Sequence, residues 1–381
     1  MLRKILTFFQ KETVLSISAI LAILSMFIVH PSGKYFSYID FRTLSLLFCL
    51  MSIVAGLSEI GLFDYLAEKI LSRANSIKSI IVLLVLLCFF FSMIITNDVA
   101  LITFVPFAII ILKKMSEKQK NYWILRTVVM QTIAANLGSM LTPIGNPQNL
   151  YLYARANMSA LALIRLMLPY SIAALVLLLV WIQIAAHREP GSTTENHISE
   201  LFSIHKTKAP NQTSLIGYLI LFLICLLVVA HIIDYRISFI LVIGYIFFKN
   251  WHLFKKVDYS LLLTFTALFI FIGNLKCIPQ FNHFLISIID GHETLTAILS
   301  SQIISNVPAA ILLSGFTKNY SALIIGTNIG GLGTLIASMA SLISFKYIAK
   351  EKTTLRGKYF MMFTIANIVF LILLLLCINL L

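Results

Sequence analysis

Long apolar stretches recur along almost the whole chain, and they restrict the possible fold more than any other feature. Of the 381 residues, 59% are hydrophobic and 12% are charged, whereas roughly 25% of the residues in a soluble domain are charged. A helix needs about 20 mostly apolar residues to cross the hydrocarbon core of a bilayer. The sequence therefore predicts an all-α polytopic membrane protein with about 9–11 transmembrane segments.

The distribution of basic residues predicts the orientation of the chain in the membrane. The net charge is +14, but Lys and Arg gather in short loops, such as residues 113–120 and 346–358. The positive-inside rule places these loops and the N-terminus in the cytoplasm. We expect an integral plasma-membrane protein surrounded by lipid, with no nucleic-acid partner, because no basic binding motif accompanies the charge.

Sequence motifs of common enzyme classes are missing. The chain has no P-loop, no HExxH and no GxSxG. Phosphate binding, zinc hydrolysis and acyl transfer therefore lack the residues that they require. We expect no catalytic residues and no enzyme activity.

Two apolar stretches are interrupted by polar residues and have both ends on one predicted side of the membrane. Residues 80–112 are too long for one crossing, begin and end in the cytoplasm, and contain the polar tip 96–98. Counting the crossings forward puts both ends of residues 294–316 outside, with the polar pair 305–306 near the middle. We predict two re-entrant hairpins, an inward one and an outward one.

The two halves of the chain carry matching motifs. The first hairpin is followed by ANLGSMLTPIGNPQN (residues 135–149) and the second by TNIGGLGTLIASMAS (residues 327–341). Aligned on the pattern N-[LI]-G-x-x-x-T-x-I, these residues correspond: Asn97 and Asn306, Asn136 and Asn328, Gly138 and Gly330, Thr142 and Thr334, Gly145 and Ala337. Because the two hairpins enter from opposite sides, we predict an inverted repeat.

The repeat divides the chain into two halves that are joined by a polar cytoplasmic linker. The N-terminal repeat, residues 1–186, contains a helix broken within 124–153, and the C-terminal repeat, residues 213–381, contains one broken within 321–348. Residues 187–212 form the linker. Gly and Pro break the first helix. The second has glycines but no proline, which predicts a milder break.

Polar residues in the hairpins and the helix breaks are the candidate functional residues. Broken membrane helices offer N–H groups to an anion and free carbonyl groups to a cation. We interpret Asp98 as a carboxylate that binds Na⁺ or carries a proton. The alternative is a structural role, either capping the hairpin arm or pairing with Arg126. Asn146 and Asn149 are expected to contact the transported ion.

At these motifs the sequence resembles the ion transporter superfamily. TPIGNPQN (residues 142–149) and the two Asn-tipped hairpins carry the resemblance. The superfamily includes divalent anion/sodium symporters, citrate transporters, arsenite permeases and sodium/proton antiporters. The resemblance implies two inverted repeats that work by alternating access, commonly as a homodimer, with Na⁺ or H⁺ as the coupling ion and no other cofactor.

The resemblance also implies roles for individual residues. Together with Asp98, the implied cation-binding residues are Ser92, Thr96, Asn97 and Gly145 in the first half, and Ser301, Ser305, Asn306 and Ala337 in the second. Together with Asn149, the implied substrate-binding residues are Asn97, Asp98, Asn146, Asn306, Val307 and Ser338.

Three departures from the symporter pattern affect the expected substrate. Asp98 and Val307 stand where symporters have Thr, and ASMAS (residues 337–341) replaces a proline-containing loop. An ionised Asp98 would repel an anion unless a proton or a cation neutralised it. We expect coupled transport of a small carboxylate or inorganic oxyanion. A Na⁺/H⁺ antiporter that exchanges ions at Asp98 and a passive anion channel are the alternatives.

Overall fold

The computed structural model describes residues 12–189, 208–351 and 355–380, and most of these residues are helical. No strand occurs within those ranges. In this described part of the chain, eight helices are at least 18 residues long and apolar enough to cross a membrane. The predicted all-α membrane architecture is therefore confirmed. Residues 1–11 and 190–207, with the N-terminus and most of the predicted linker, lie outside the described residues.

The described part of the N-terminal half forms helices α1 to α9. They are, in order, Thr13–Ile28, Tyr35–Tyr38, Phe41–Glu59, Leu62–Leu71, Ile77–Ile95, Asn97–Lys113, Glu117–Gly138, Pro147–Ala156 and Ala160–His187. Polar side chains begin several of these helices. Asp40 accepts a hydrogen bond from the Thr43 amide at 3.0 Å, and Ser76 accepts one from the Ser79 amide at 3.1 Å. Such caps satisfy amide groups that have no partner within the helix.

The described part of the C-terminal half forms helices α10 to α18. They are, in order, Gln212–Val229, Tyr235–Asn250, Tyr259–Lys276, Pro279–Ile289, Glu293–Ile304, Asn306–Leu313, Tyr320–Ile329, Met339–Glu351 and Leu355–Leu380. A 3₁₀ segment, Trp251–Lys256, extends α11 to a span of 22 residues. The crossing predicted over residues 237–248 is therefore long enough to span the bilayer.

Each predicted hairpin consists of two helices that meet at a single non-helical residue. Helices α5 and α6 meet at Thr96, and α14 and α15 meet at Ser305. Both residues belong to the polar tips identified in the sequence. The entry of these hairpins from opposite membrane faces, and hence the inversion of the repeat, remains a prediction.

Both predicted broken helices are interrupted, but the second break is not the milder one. Between α7 and α8 the chain forms a short 3₁₀ turn, Ser139–Leu141, and resumes at Pro147. Between α16 and α17 no helix occurs from Gly330 to Ser338. Three glycines lie in this second break, and Gly333 has a φ of +106°. Glycine alone therefore produces the longer interruption, because it admits backbone angles that other residues avoid.

Helix α7 lies at the centre of the bundle. In the most apolar 18-residue stretch of Glu117–Leu141, 89% of the residues are buried. The corresponding stretches of α9 and α18 have 33% and 28% of their residues buried. The outer helices expose large apolar side chains, such as Ile172 and Met361, as lipid-facing surfaces do. Helix α7 packs against both arms of the first hairpin. Its C-terminal end therefore holds the first helix break in the protein interior.

Candidate ion and substrate site

The two hairpin tips have the same backbone conformation. Thr96 has φ 75° and ψ 152°, and Ser305 has φ 74° and ψ 153°. Positive φ is unfavourable for residues other than glycine, and especially for a β-branched residue such as Thr. Strained backbone of this kind persists where the surrounding structure enforces it, often at functional sites. The two tips therefore share one strained backbone conformation.

Each tip is bonded to the helix break of its own half. The backbone N–H of Asn97 donates to the Gly145 carbonyl at 3.1 Å, and the backbone N–H of Asn306 donates to the Ala337 carbonyl at 2.9 Å. Ser305 Oγ lies 3.4 Å from the same Ala337 carbonyl oxygen. The structure thus brings hairpin tip and helix break together twice, with hydroxyl and carbonyl oxygens of the kind that bind Na⁺.

Glycine permits the close approach of each hairpin to the neighbouring helix. A Cβ at Gly138 would lie 2.7 Å from Ser92 Oγ, and a Cβ at Gly330 would lie 2.9 Å from Ser301 Oγ. Both serines are fully buried and donate to carbonyl groups of their own helices. The remaining predicted cation-binding residues, Ser92 and Ser301, are therefore beside the tips in matching positions.

Polar side chains connect the two halves reciprocally. Asn146 Nδ2 donates to Asn328 Oδ1 at 2.9 Å, and Ser338 Oγ donates to Asn136 Oδ1 at 3.0 Å. In the alignment, Asn136 corresponds to Asn328 and Asn146 to Ser338. Each loop residue therefore contacts the helix end of the other half. All four residues are at most 5% exposed.

Asn149 has its polar atoms engaged within this network. Its Nδ2 donates to the Met140 and Thr142 carbonyls at 3.0 and 3.1 Å, and its Oδ1 accepts from Asn328 at 2.6 Å. Asn149 lines neither of the two cavities described below, and its contact with substrate stays a prediction. The geometry gives it a role in holding the first helix break in place.

Asp98 lies in a cavity of about 220 Å³, here called the hairpin cavity. Its polar lining includes Thr96, Asp98, Asn146, Lys256 and Asp258. The carboxylate accepts no hydrogen bond from the residues that the structure describes, whereas the Asp98 backbone amide donates to Asn97 Oδ1 at 3.0 Å.

The predicted structural alternatives for Asp98 are not observed. Arg126 instead donates to the Tyr122 carbonyl at 2.7 Å, and its guanidinium lies 3.8 Å from the centre of the Tyr122 ring. Thr96, and not Asp98, occupies the N-cap position of α6. At the corresponding position of the second tip, Val307 is an apolar side chain that is 7% exposed. The two tips therefore differ in charge.

A second cavity, here called the basic cavity, has a volume of about 270 Å³. It is lined by Ser37, Tyr38, Asp40, Tyr151, Arg155 and Lys276, together with Cys277 and apolar residues. Helices α3, α8 and α12 each approach the hairpin cavity near one end and the basic cavity at or near the other. Helix α8 contributes Leu150 to the hairpin cavity and Tyr151 and Arg155 to the basic cavity, so the two cavities lie against neighbouring turns of this helix, and Asn146 lines the hairpin cavity.

Sequence reasoning did not assign site roles to several residues of this centre. Asn136 and Asn328 were aligned as a pair, and their matched positions were the available signal. Gln302 carried no such signal, because Met93 occupies the corresponding place in the first half. Its side chain donates to the Gly330 and Leu332 carbonyls at 2.8 and 2.9 Å and accepts from the Thr334 amide at 3.0 Å. It thus holds the glycine-rich break.

Comparison with known proteins agrees with this architecture. The family model described as Citrate transporter matches residues 5–319. An uncharacterized transporter of Methanocaldococcus jannaschii is 34% identical, over 87% of this chain and 87% of the relative. The inner membrane protein YbiR of Escherichia coli is 32% identical, over 85% of this chain and 84% of the relative. This chain is therefore a multi-pass membrane transporter, with no enzyme activity, that belongs to the Citrate transporter family.

Proposed function

We propose that this protein is a secondary active transporter of a small anion, either a carboxylate or an inorganic oxyanion, coupled to Na⁺ or H⁺. The observation that carries the proposal is the pair of strained hairpin tips, each bonded to a helix break in the protein interior. Such an arrangement provides oxygen atoms for a cation and amide groups for an anion within one centre.

Asp98 is proposed as the residue that couples the driving ion to the substrate. It is the ionisable side chain at the two tips, and it faces the hairpin cavity. An anion next to an ionised Asp98 would be repelled, whereas a bound proton or Na⁺ would remove that repulsion. Binding of the coupling ion would therefore favour binding of the anion, which is the requirement for symport.

The position of the two cavities supports alternating access. The hairpin cavity reaches the polar network at Asn146, whereas no residue of the network lines the basic cavity. The network itself is nearly inaccessible to solvent, with Asn146 only 1% exposed. A centre that is open to one cavity and closed to the other fits a transporter that opens to one side at a time better than it fits a continuous anion channel.

The second candidate is a Na⁺/H⁺ antiporter, and one observation favours it. Val307 offers no polar group to a substrate at the tip where Asp98 has its counterpart. In an antiporter Asp98 would bind Na⁺ and H⁺ alternately, and no anionic substrate would be needed.

Transport into proteoliposomes tests the proposal. Purified protein would be given a Na⁺ gradient or a pH gradient, and uptake of labelled citrate, succinate, sulfate and arsenite would be followed together with internal pH. Accumulation of one anion above equilibrium, driven by either gradient, is the expected result. Na⁺-dependent proton movement without anion uptake would instead establish the antiporter. Anion flux that only dissipates its own gradient would establish a channel.

A further inference from the structure

The basic cavity contains two cations without a carboxylate partner. Arg155 and Lys276 both line it, and neither forms a salt bridge with any residue in the described ranges. Two like charges that line one small cavity repel each other. Asp40 is the acidic residue of this cavity, but its two oxygens accept hydrogen bonds from the amide and hydroxyl of Thr43, at 3.0 and 2.7 Å. An anion between the two cations would relieve their repulsion.

Elements of both halves form this cavity. Arg155 lies in the last turn of α8, which begins at the first helix break. Lys276 lies in the last turn of α12, and Ile311 comes from the second arm of the second hairpin. The floor includes Tyr151, whose hydroxyl is 2.8 Å from Ser314 Oγ. A ligand here would touch helices that lead directly to the polar centre.

We propose that Arg155 and Lys276 form a second anion-binding site, distinct from the hairpin tips, which holds the anion on its way to or from the centre. Its ligand is a small multivalent oxyanion or carboxylate, because two cations converge and the neighbouring Ser37 and Tyr38 supply hydroxyl groups. The physiological meaning of the site rests on the proposed anion transport. Its existence is tested without transport.

A simpler role for the two cations must be separated from this proposal. A cation in the last turn of a helix stabilises the negative end of that helix. If Arg155 and Lys276 served only that purpose, they would attract anions weakly and would not bind one saturably.

Cys277 provides a reporter inside the basic cavity. It is exposed, it lines the cavity, and its Sγ lies 3.6 Å from the Tyr38 hydroxyl. Cys49, Cys88 and Cys225 are buried, so a Cys377→Ser background leaves Cys277 as the accessible thiol in the described part of the chain. A further Cys277→Ser variant measures any labelling elsewhere.

The experiment compares two thiol reagents of opposite charge, 2-sulfonatoethyl and 2-(trimethylammonium)ethyl methanethiosulfonate, on the full-length protein in detergent without ion gradients. Both react with the thiolate, so the ratio of their rates cancels any change in thiol ionisation. We expect the anionic reagent to react about tenfold faster, as a focused positive field predicts. Citrate or sulfate, titrated at constant ionic strength, should protect Cys277 saturably.

Matched variants make the outcome decisive. Arg155→Gln with Lys276→Gln should reverse the reagent preference and abolish protection, whereas Arg165→Gln, an exposed position outside the cavity, should change neither. A reagent preference without saturable protection by citrate or sulfate would overturn the proposal and leave only helix stabilisation. Protection that survives in the double variant would also overturn it. If the unsubstituted protein transports no anion in proteoliposomes, but citrate or sulfate still protects its Cys277 saturably, the proposed function is contradicted and this binding site stands.

Discussion

The first and second hairpin tips adopt the same backbone conformation with different side chains. Both are strained at one residue and bonded through an Asn amide to a helix break. The first carries Asp98, and the second carries the buried Val307. The backbone conformation is thus common to both tips, whereas the first tip carries an ionisable side chain where the second carries an apolar one.

The two helix breaks differ in what holds them. Asn149 holds the first break through hydrogen bonds to carbonyl groups of the loop, with Gly145 packed against Ser139. Gln302 holds the second from the hairpin, and Ala337 replaces the packed glycine. The carbonyl groups of Gly145 and Ala337, which accept hydrogen bonds from the two hairpin tips, are therefore held in place by different local structures. Equivalent substitutions in the two halves should have unequal effects.

The largest expected effect comes from adding one methyl group at the first break. In Gly145→Ala the new Cβ would overlap the Ser139 carbonyl oxygen, which is backbone and cannot move aside without displacing the loop. The second half already has alanine at the corresponding position, Ala337. We expect Gly145→Ala to destabilise the fold by about 3 kcal/mol, seen as a lower unfolding temperature in detergent.

The reverse substitution, Ala337→Gly, is the matched control and should be far milder, at about 1 kcal/mol. Equal losses for the two variants would contradict the inequality between the breaks.

The second prediction compares how much uptake depends on the charged residue of the first tip and on the apolar residue of the second. Asp98→Asn keeps the size of the side chain and removes its negative charge, so we expect folded protein with gradient-driven uptake lowered roughly 30-fold, as for loss of a contact worth about 2 kcal/mol. Val307→Thr, the equivalent position of the second tip, should alter uptake less than about threefold. Uptake that is equally sensitive at both positions would show that the ionic chemistry is shared between the tips.

Much of this architecture could be predicted from the sequence because the signals were local. The tips at Thr96 and Ser305 follow from polar residues inside long apolar stretches. The short helices Leu62–Leu71 and Pro279–Ile289 were missed because they are too brief to give a membrane-span signal. The extent of the second break was underestimated because proline, and not a run of glycines, was taken as the decisive breaker.

Contacts between the halves could not be predicted, because they depend on how distant segments pack. The bond between Asn146 and Asn328 joins residues that lie far apart in the chain. The shared cavity of Asp98 and Asp258, and the convergence of Arg155 with Lys276, are likewise properties of the folded bundle. Sequence periodicity reports which residues are buried, but it does not report which partner each one meets.

The third prediction concerns one side of the reciprocal network. Asn146 Nδ2 donates a hydrogen bond to Asn328 Oδ1. Asn146 Oδ1 also caps α8 by accepting from the backbone N–H of Asn149 at 2.8 Å. Asn146→Ala leaves a buried acceptor without that partner and removes the cap. We expect a loss of about 2 kcal/mol in stability, measured by thermal unfolding in detergent. A loss below that of Ser338→Ala would contradict this reasoning.

The smallest effect is expected on the other side of the network. Ser338→Ala removes one hydrogen bond to Asn136 Oδ1, but this oxygen still accepts from Asn97 Nδ2 at 3.2 Å. No buried acceptor is left without a partner, so the loss should be about 0.6 kcal/mol, as for an average hydrogen bond between membrane helices. A double-mutant cycle with Asn146→Ala measures whether the two reciprocal bonds act together. Because the two bonds share no atom, we expect the stability losses of the two single variants to add in the double variant. A loss in the double variant that differs from this sum by more than about 0.5 kcal/mol would mean that breaking one bond weakens the other.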